Sequence, residues 1–163
     1  MDTIESFLSY FKAVRKRTNK LLEVIPRDQF DFTYRPGKFT IADHIRHIAA
    51  IERYMFAETV SGRKSLYRGC GSELGEGYGN VLNFFNQAYL ETLDIISRLN
   101  DTDLQRNCCT PAGIEINIRK WLYLMTEHEI HHRAELYIYM NILGVQTPPI
   151  YGMTSEELIK HSI

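Results

Sequence analysis

Ile4, Phe7, Leu8, Phe11, Val14, Thr18, Leu21, Leu22 and Ile25 recur at steps of three and four, the spacing that turns one side of an α-helix toward a core. Asp2 with Glu5 three residues on reads as the start of that helix, and Pro26 as its stop. A second run comprises Ile41, His44, Ile45, Ile48, Ile51, Met55 and Val60. Thr40 precedes it as N-cap, and Asp43 stands in the first turn, where an acid complements the helix dipole. Val81, Phe84, Phe85, Ala88, Thr92, Ile95, Ile96 and Leu99 form a third run. A fourth starts near Asn117 and ends before Gly144, with Pro148-Pro149 just beyond. The pattern predicts helices over residues 3–25, 41–60, 80–99 and 118–143, with Thr154 and Glu157 as the capping box of a short final helix.

The connections carry the opposite signal. Residues 27–39 are aromatic-rich and contain Pro36-Gly37; residues 61–79 hold six glycines in nineteen positions; residues 100–116 turn at Pro111-Ala112-Gly113. No run alternates convincingly as a strand. The expectation is an all-α four-helix bundle in one domain over residues 1–163, with connections long enough for a crossover topology and for closing a pocket at one end.

Composition narrows the partners. A formal charge of −1 over 163 residues provides no basic stripe for nucleic acid and no electrostatic case for a membrane surface. The N-terminus lacks a basic start and apolar run, and no apolar stretch approaches a membrane span. Cys70, Cys108 and Cys109 are odd in number and make no C-x-x-C. A cytoplasmic, reducing location is the expectation.

The candidate chemistry lies in His128-Glu129-Ile130-His131-His132. Residues i and i+4 of a helix stand about 40° apart and one turn along, so His128 and His132 can offer two nitrogens to one ion. Trp121, Leu124, Glu135 and Tyr139 fall within about 40° of His128, which places the pair on an inward, largely apolar face, with His131 at its edge. A third ligand is available from the second helix, where His47 shares a face with His44, Ile51 and Tyr54. Three neutral imidazoles from two helices leave a coordination position open, as in catalytic sites. Such ligands suit zinc and nickel first, with iron a further option.

The same string fits H-E-x-x-H, in which Glu129 would be the base of a zinc peptidase. The extended peptidase motif needs a Gly and a His where this chain has Glu135 and Ile138, and no edge strand offers itself to a peptide. A di-iron carboxylate bundle needs two E-x-x-H motifs, and Glu129-x-x-His132 is one. Both readings are disfavoured.

Several segments, in order, resemble the DinB-like superfamily of bacterial four-helix metalloproteins over most of the chain. They are Arg35-Pro36-Gly37-Lys38-Phe39-Thr40-Ile41; Asp43-His44-Ile45-Arg46-His47-Ile48 with Glu52; Thr110-Pro111-Ala112-Gly113-Ile114-Glu115; and His128 through Leu136 with Leu143-Gly144-Val145. The resemblance implies metal ligands at His47, His128 and His132, an up-down-down-up bundle and a homodimer. Many relatives read Arg-Gly-Gln after the last ligand, where this chain has Arg133-Ala134-Glu135. Glu135 is thus a candidate partner of a ligand, a fourth ligand, or a charge that alters substrate choice.

The resemblance further implies a transferase that uses a low-molecular-weight, bacillithiol-type thiol as cosubstrate against an electrophile. Tyr54, Trp121, Glu135 and Tyr139 would line its pocket, and Arg46 and Arg133 would either hold an anionic thiol or stand solvated. The alternatives are a hydrolase using a metal-bound water, with Glu129 or Glu135 as base, and a non-enzymatic, stress-related bundle stabilised by metal.

Overall fold

A computed structural model describes residues 2–162. Four long helices form a bundle: α1 (Ile4–Leu22), α2 (Ile41–Ile51) prolonged through a π-turn (Glu52–Phe56) into α3 (Ala57–Val60), α4 (Gly77–Ser97) and α5 (Ile118–Ile142). A short helix α6 (Ser155–His161) follows. Both α1 and α2 pack on α4 and on α5, so the first two long helices lie diagonally and the chain crosses the bundle between them. No helix among the described residues is long and apolar enough to cross a membrane.

The helix ends follow local chemistry, with small departures from the sequence expectation. α1 is capped by Thr3 and Ser6 rather than Asp2 and Glu5: the Thr3 hydroxyl accepts from the Ser6 amide at 3.1 Å. The Asp2 carboxylate instead accepts from Arg119 at 2.8 Å. α1 also stops at Leu22, short of residue 25, because Pro26 disfavours α geometry before it; the amides of Val24 and Ile25 tighten onto the carbonyls of Leu21 and Leu22. Thr40 caps α2 as expected, and Asp43, read from the sequence only as an acid in the first turn, completes a capping box: each side chain bonds the other's amide, at 3.0 and 2.8 Å. Gly144, at φ +70°, ends α5, with the Val145 amide returning to the Met140 carbonyl at 2.9 Å. Thr154 and Glu157 cap α6 as read from the sequence.

Two features were absent from the periodicity. Asn107–Cys109 and Glu115–Asn117 pair as a small antiparallel hairpin, β1 and β2, in register Cys108 to Ile116. Three-residue strands are too short for alternation to register. The π-turn inside the second helix leaves no residue-type signature, yet its wider turn rotates every later side chain relative to an unbroken α-helix.

The core is divided by a polar layer. One apolar cluster gathers Leu21, Ile41, Ile45, Ile48, Phe85, Ala88, Leu136 and Met140; the other gathers Phe7, Phe11, Phe56, Val60, Ile96, Leu122 and Met125. On every long helix a buried polar residue falls between the two: Arg15 and Thr18, Glu52, Thr92, and Glu129 with Arg133. Arg15 is 2 % exposed and joins two helices, touching the Glu52 carboxyl, donating from Nη2 to Glu129 Oε2 at 3.2 Å and pairing by charge with Glu129 Oε1 at 3.2 Å. Its guanidinium lies 4.1 Å from the Phe85 ring centroid and 4.5 Å from that of Tyr89. Thr18 donates to Glu129 at 2.5 Å, and Arg133 donates to the Val14 carbonyl at 3.1 Å.

Burial, with the Glu129 charge adding and Arg15 opposing, pushes the Glu52 carboxyl up to about 8. The folded chain therefore holds a proton that the unfolded chain releases, so this contribution to stability is lost as pH rises through about 8. The urea midpoint is expected to fall between pH 7 and pH 9, and Glu52→Gln to flatten that fall. An equal slope in both proteins would show that another group carries it.

Candidate metal centre

His47 projects from α2, and His128 and His132 from successive turns of α5. The Nε2 atoms of His47 and His128 are 3.1 Å apart, and ring centroids are 4.6 Å apart for His47 and His132 and 4.5 Å for His128 and His132. One nitrogen from each residue lies within 4.8 Å of the others. Two nitrogens at zinc-bond length on a tetrahedral ion stand about 3.3 Å apart, so this donor set fits a divalent transition metal with little movement.

The electrostatics favour the metal-ready form. Burial, followed by the mutual repulsion of the rings, lowers His47 to about 4 and His128 to about 3. Burial also lowers His132, against the pull of Glu135. All three are therefore neutral at pH 7, with lone pairs free for coordination.

Two of the three rings are held from behind. His47 Nδ1 lies 3.0 Å from the Tyr67 hydroxyl, and His132 Nδ1 lies 2.6 Å from Glu135 Oε2. Such bonds fix ring orientation and leave Nε2 as the coordinating atom. The Tyr67 loop is tied down at both sides of that residue. The Tyr54 carbonyl, in the π-turn, accepts from the Leu66 amide at 2.7 Å and the Ser65 hydroxyl at 3.2 Å. Arg46 donates to the carbonyls of Cys70 at 2.9 Å and Gly75 at 2.8 Å and to Asp43 at 2.6 Å. Sequence reasoning missed Tyr67, because an aromatic in a glycine-rich connection has no helical phase to place it.

The other sequence-predicted residues separate. Glu135 reaches the centre through His132. Tyr139 is buried against His44 with ring centroids 5.1 Å apart, its hydroxyl donating to the Phe39 carbonyl at 2.6 Å. Trp121 packs at a tilt against Phe56, ring centroids 4.5 Å apart, and donates to Thr59 at 2.8 Å, one ring away from His128. Tyr54 stacks on Phe84 at 6.3 Å instead of on the histidines, since the π-turn rotates it off the His47 face.

Arg46 and Arg133 are neither solvated nor free for an anion: both are buried and bonded to backbone carbonyls. Glu129 is 1 % exposed and bound by Arg15 and Thr18, which removes it as a base. The histidines themselves sit at the border of the core. The most buried stripe of α5 runs through Leu122, Met125, Glu129, Arg133, Leu136 and Met140, while Leu124 and Ile138 are exposed.

His132 opens onto a cavity of about 580 Å³ walled by Tyr34, Phe39, Glu135, Ile138 and Tyr139. The geometry thus defines a four-helix bundle with a three-histidine centre beside an aromatic-walled cavity. The profile of the DinB superfamily matches residues 10–136, and the chain belongs to that superfamily.

The uncharacterized protein YjoA of Bacillus subtilis (strain 168) is 27 % identical over 148 residues, covering 88 % of this chain and 93 % of YjoA. The crystal structure of that DinB-like protein aligns with a TM-score of 0.71 at 23 % identity, over 91 % of this chain and 98 % of the other. A DinB-like protein from Bacillus cereus ATCC 10987 aligns with a TM-score of 0.72 at 18 % identity, over 91 % and 97 %. TT2238, a four-helix bundle protein, aligns at 0.64 and 21 % identity, over 83 % and 99 %.

Proposed function

We propose that this chain binds one divalent transition metal through His47, His128 and His132 and uses it to transfer a low-molecular-weight thiol to a small electrophile. The observation that carries the reading is the convergence of three neutral imidazoles beside a cavity with aromatic and aliphatic walls. A metal held by three imidazoles supplies Lewis acidity that favours the thiolate near neutral pH.

The chain's own residues do the rest. Tyr67 and Glu135 hold the rings of His47 and His132 in place. Phe39, Tyr139 and Ile138 offer apolar contact to the electrophile and thin the water around it. In the reaction so read, the thiol gives its proton to solvent, sulfur bonds to the electrophilic carbon, and the carbon–leaving-group bond breaks with its electron pair going to the leaving group. Hydrolysis is the second reading. Glu135, 38 % exposed at its side chain and on the cavity wall, is the carboxylate placed to serve it.

The test is conjugation of a chromogenic electrophile by tag-free, zinc-loaded protein with and without cysteine or a glucosamine-linked thiol. Product formation that requires both thiol and His128 supports transfer. Product formed equally without thiol overturns it in favour of hydrolysis.

A further inference from the structure

His132 stands between two groups of ligands. On one side are His47 and His128; on the other, His44, His132 and Glu135 each offer an atom within 4.8 Å of the others. Glu135 Oε2 lies 2.6 Å from His132 Nδ1 and 3.4 Å from His44 Nδ1. His44 is 4 % exposed, yet its Nδ1 has no hydrogen-bond partner. A buried ring nitrogen left unpaired is destabilising and calls for a ligand.

The surroundings hold that nitrogen where it is. The His44 ring is edged by Phe39 at 5.4 Å and Tyr139 at 5.1 Å, and Tyr139 is anchored through its hydroxyl to the Phe39 carbonyl. His44, His132 and Glu135 all line the 580 Å³ cavity, which provides a path of entry.

We propose that His44, His132 and Glu135 form a second divalent-cation seat, weaker than the three-histidine seat and adjacent to it. The inference rests on the proposed function only through their shared residue, His132. Two imidazoles and one carboxylate with open positions suit zinc, cobalt(II) or iron(II), and not the oxygen-seeking magnesium or calcium. With both seats filled, His132 spans them through its two ring nitrogens, and the Nδ1 proton passes to solvent. That extra deprotonation makes the second ion bind after the first and less tightly.

The experiment is titration of metal-free, tag-free protein with cobalt(II), followed by its visible absorption bands and repeated with zinc by calorimetry. Two steps are expected, saturating at two equivalents. His44→Ala and Glu135→Gln should weaken the second step at least about tenfold and leave the first within the range that an outer partner controls, about 10- to 100-fold at most. His47→Ala and His128→Ala should remove the first step.

Glu135 is half-exposed, so Glu135→Gln keeps the test decisive if His44→Ala misfolds. The exposed His131, 3.6 Å from the other Glu135 oxygen, is the internal control, and His131→Ala should leave both steps in place. Saturation at one equivalent, or a second step insensitive to His44 and Glu135 or abolished by His131→Ala, overturns the proposal. Loss of the second step alone leaves the three-histidine reading standing. A first step unaffected by His47→Ala and His128→Ala defeats that reading without touching this one.

Discussion

Metal retention is expected to collapse in His128→Ala. After dialysis, tag-free wild-type protein should keep close to one equivalent of a divalent transition metal by elemental analysis, and the variant almost none. His128 Nε2 faces His47 Nε2 at 3.1 Å, so its loss leaves two nitrogens where the geometry calls for three. The drop in affinity should exceed the 10- to 100-fold carried by outer hydrogen-bond partners. The ring is half-buried at the edge of the core, so the variant should still fold. What it loses is the metal-dependent rise in melting temperature: an ion at a hundred times its Kd adds about 2.7 kcal/mol to a chain that binds it only when folded. His47→Ala should behave alike. Unchanged stoichiometry in either variant would remove that residue from the centre.

The largest loss of stability is expected from Arg15→Met. The side chain is enclosed by Phe11, Phe85 and Tyr89 and supplies charge to two buried carboxylates. Methionine fills much of the volume and supplies no charge, so Glu129 would lose its cation in a desolvated layer, beside a Glu52 that burial already holds protonated. Breaking such a group by removing one member costs about 3–5 kcal/mol. Urea denaturation at pH 7.5 measures it. Adding Glu129→Gln to Arg15→Met should return part of the loss, because the stranded charge is then gone. A cost below about 1 kcal/mol for Arg15→Met would mean that the layer relaxes or admits water.

Much of this was legible in the chain, and the exceptions share a cause. Thr40 with Asp43, the i, i+4 pair of His128 and His132, and the stop at Gly144 are local signals, and the structure reproduces each. The convergence of His47 on that pair followed from helix faces alone. Glu129 and Arg133 misled because charges one turn apart ordinarily mark the wet side of a helix. Here Arg15 and Thr18, more than a hundred residues away along the chain, turn that side inward. The histidine stripe moved from the middle of the buried face to its margin as a result. Tyr67 and the unpartnered His44 nitrogen were invisible for the same reason: each is defined by what folds against it.

The π-turn at Glu52–Phe56 divides the second helix into two angular phases. His47 belongs to the first, and Thr59, which takes the Trp121 indole hydrogen, to the second. Removing one residue from that turn would let the segment wind as a single α-helix with everything after it near its present phase. The roughly 100° lost with the residue offsets the roughly 90° that the wider turn gives up. Tyr54's carbonyl, inside the turn, would be drawn into the α ladder and leave Leu66 and Ser65, while Thr59 and the three histidines kept their partners. A single-residue gain or loss at this point is thus a way for a chain of this architecture to fasten or release the loop that carries Tyr67 without turning the helix on either side.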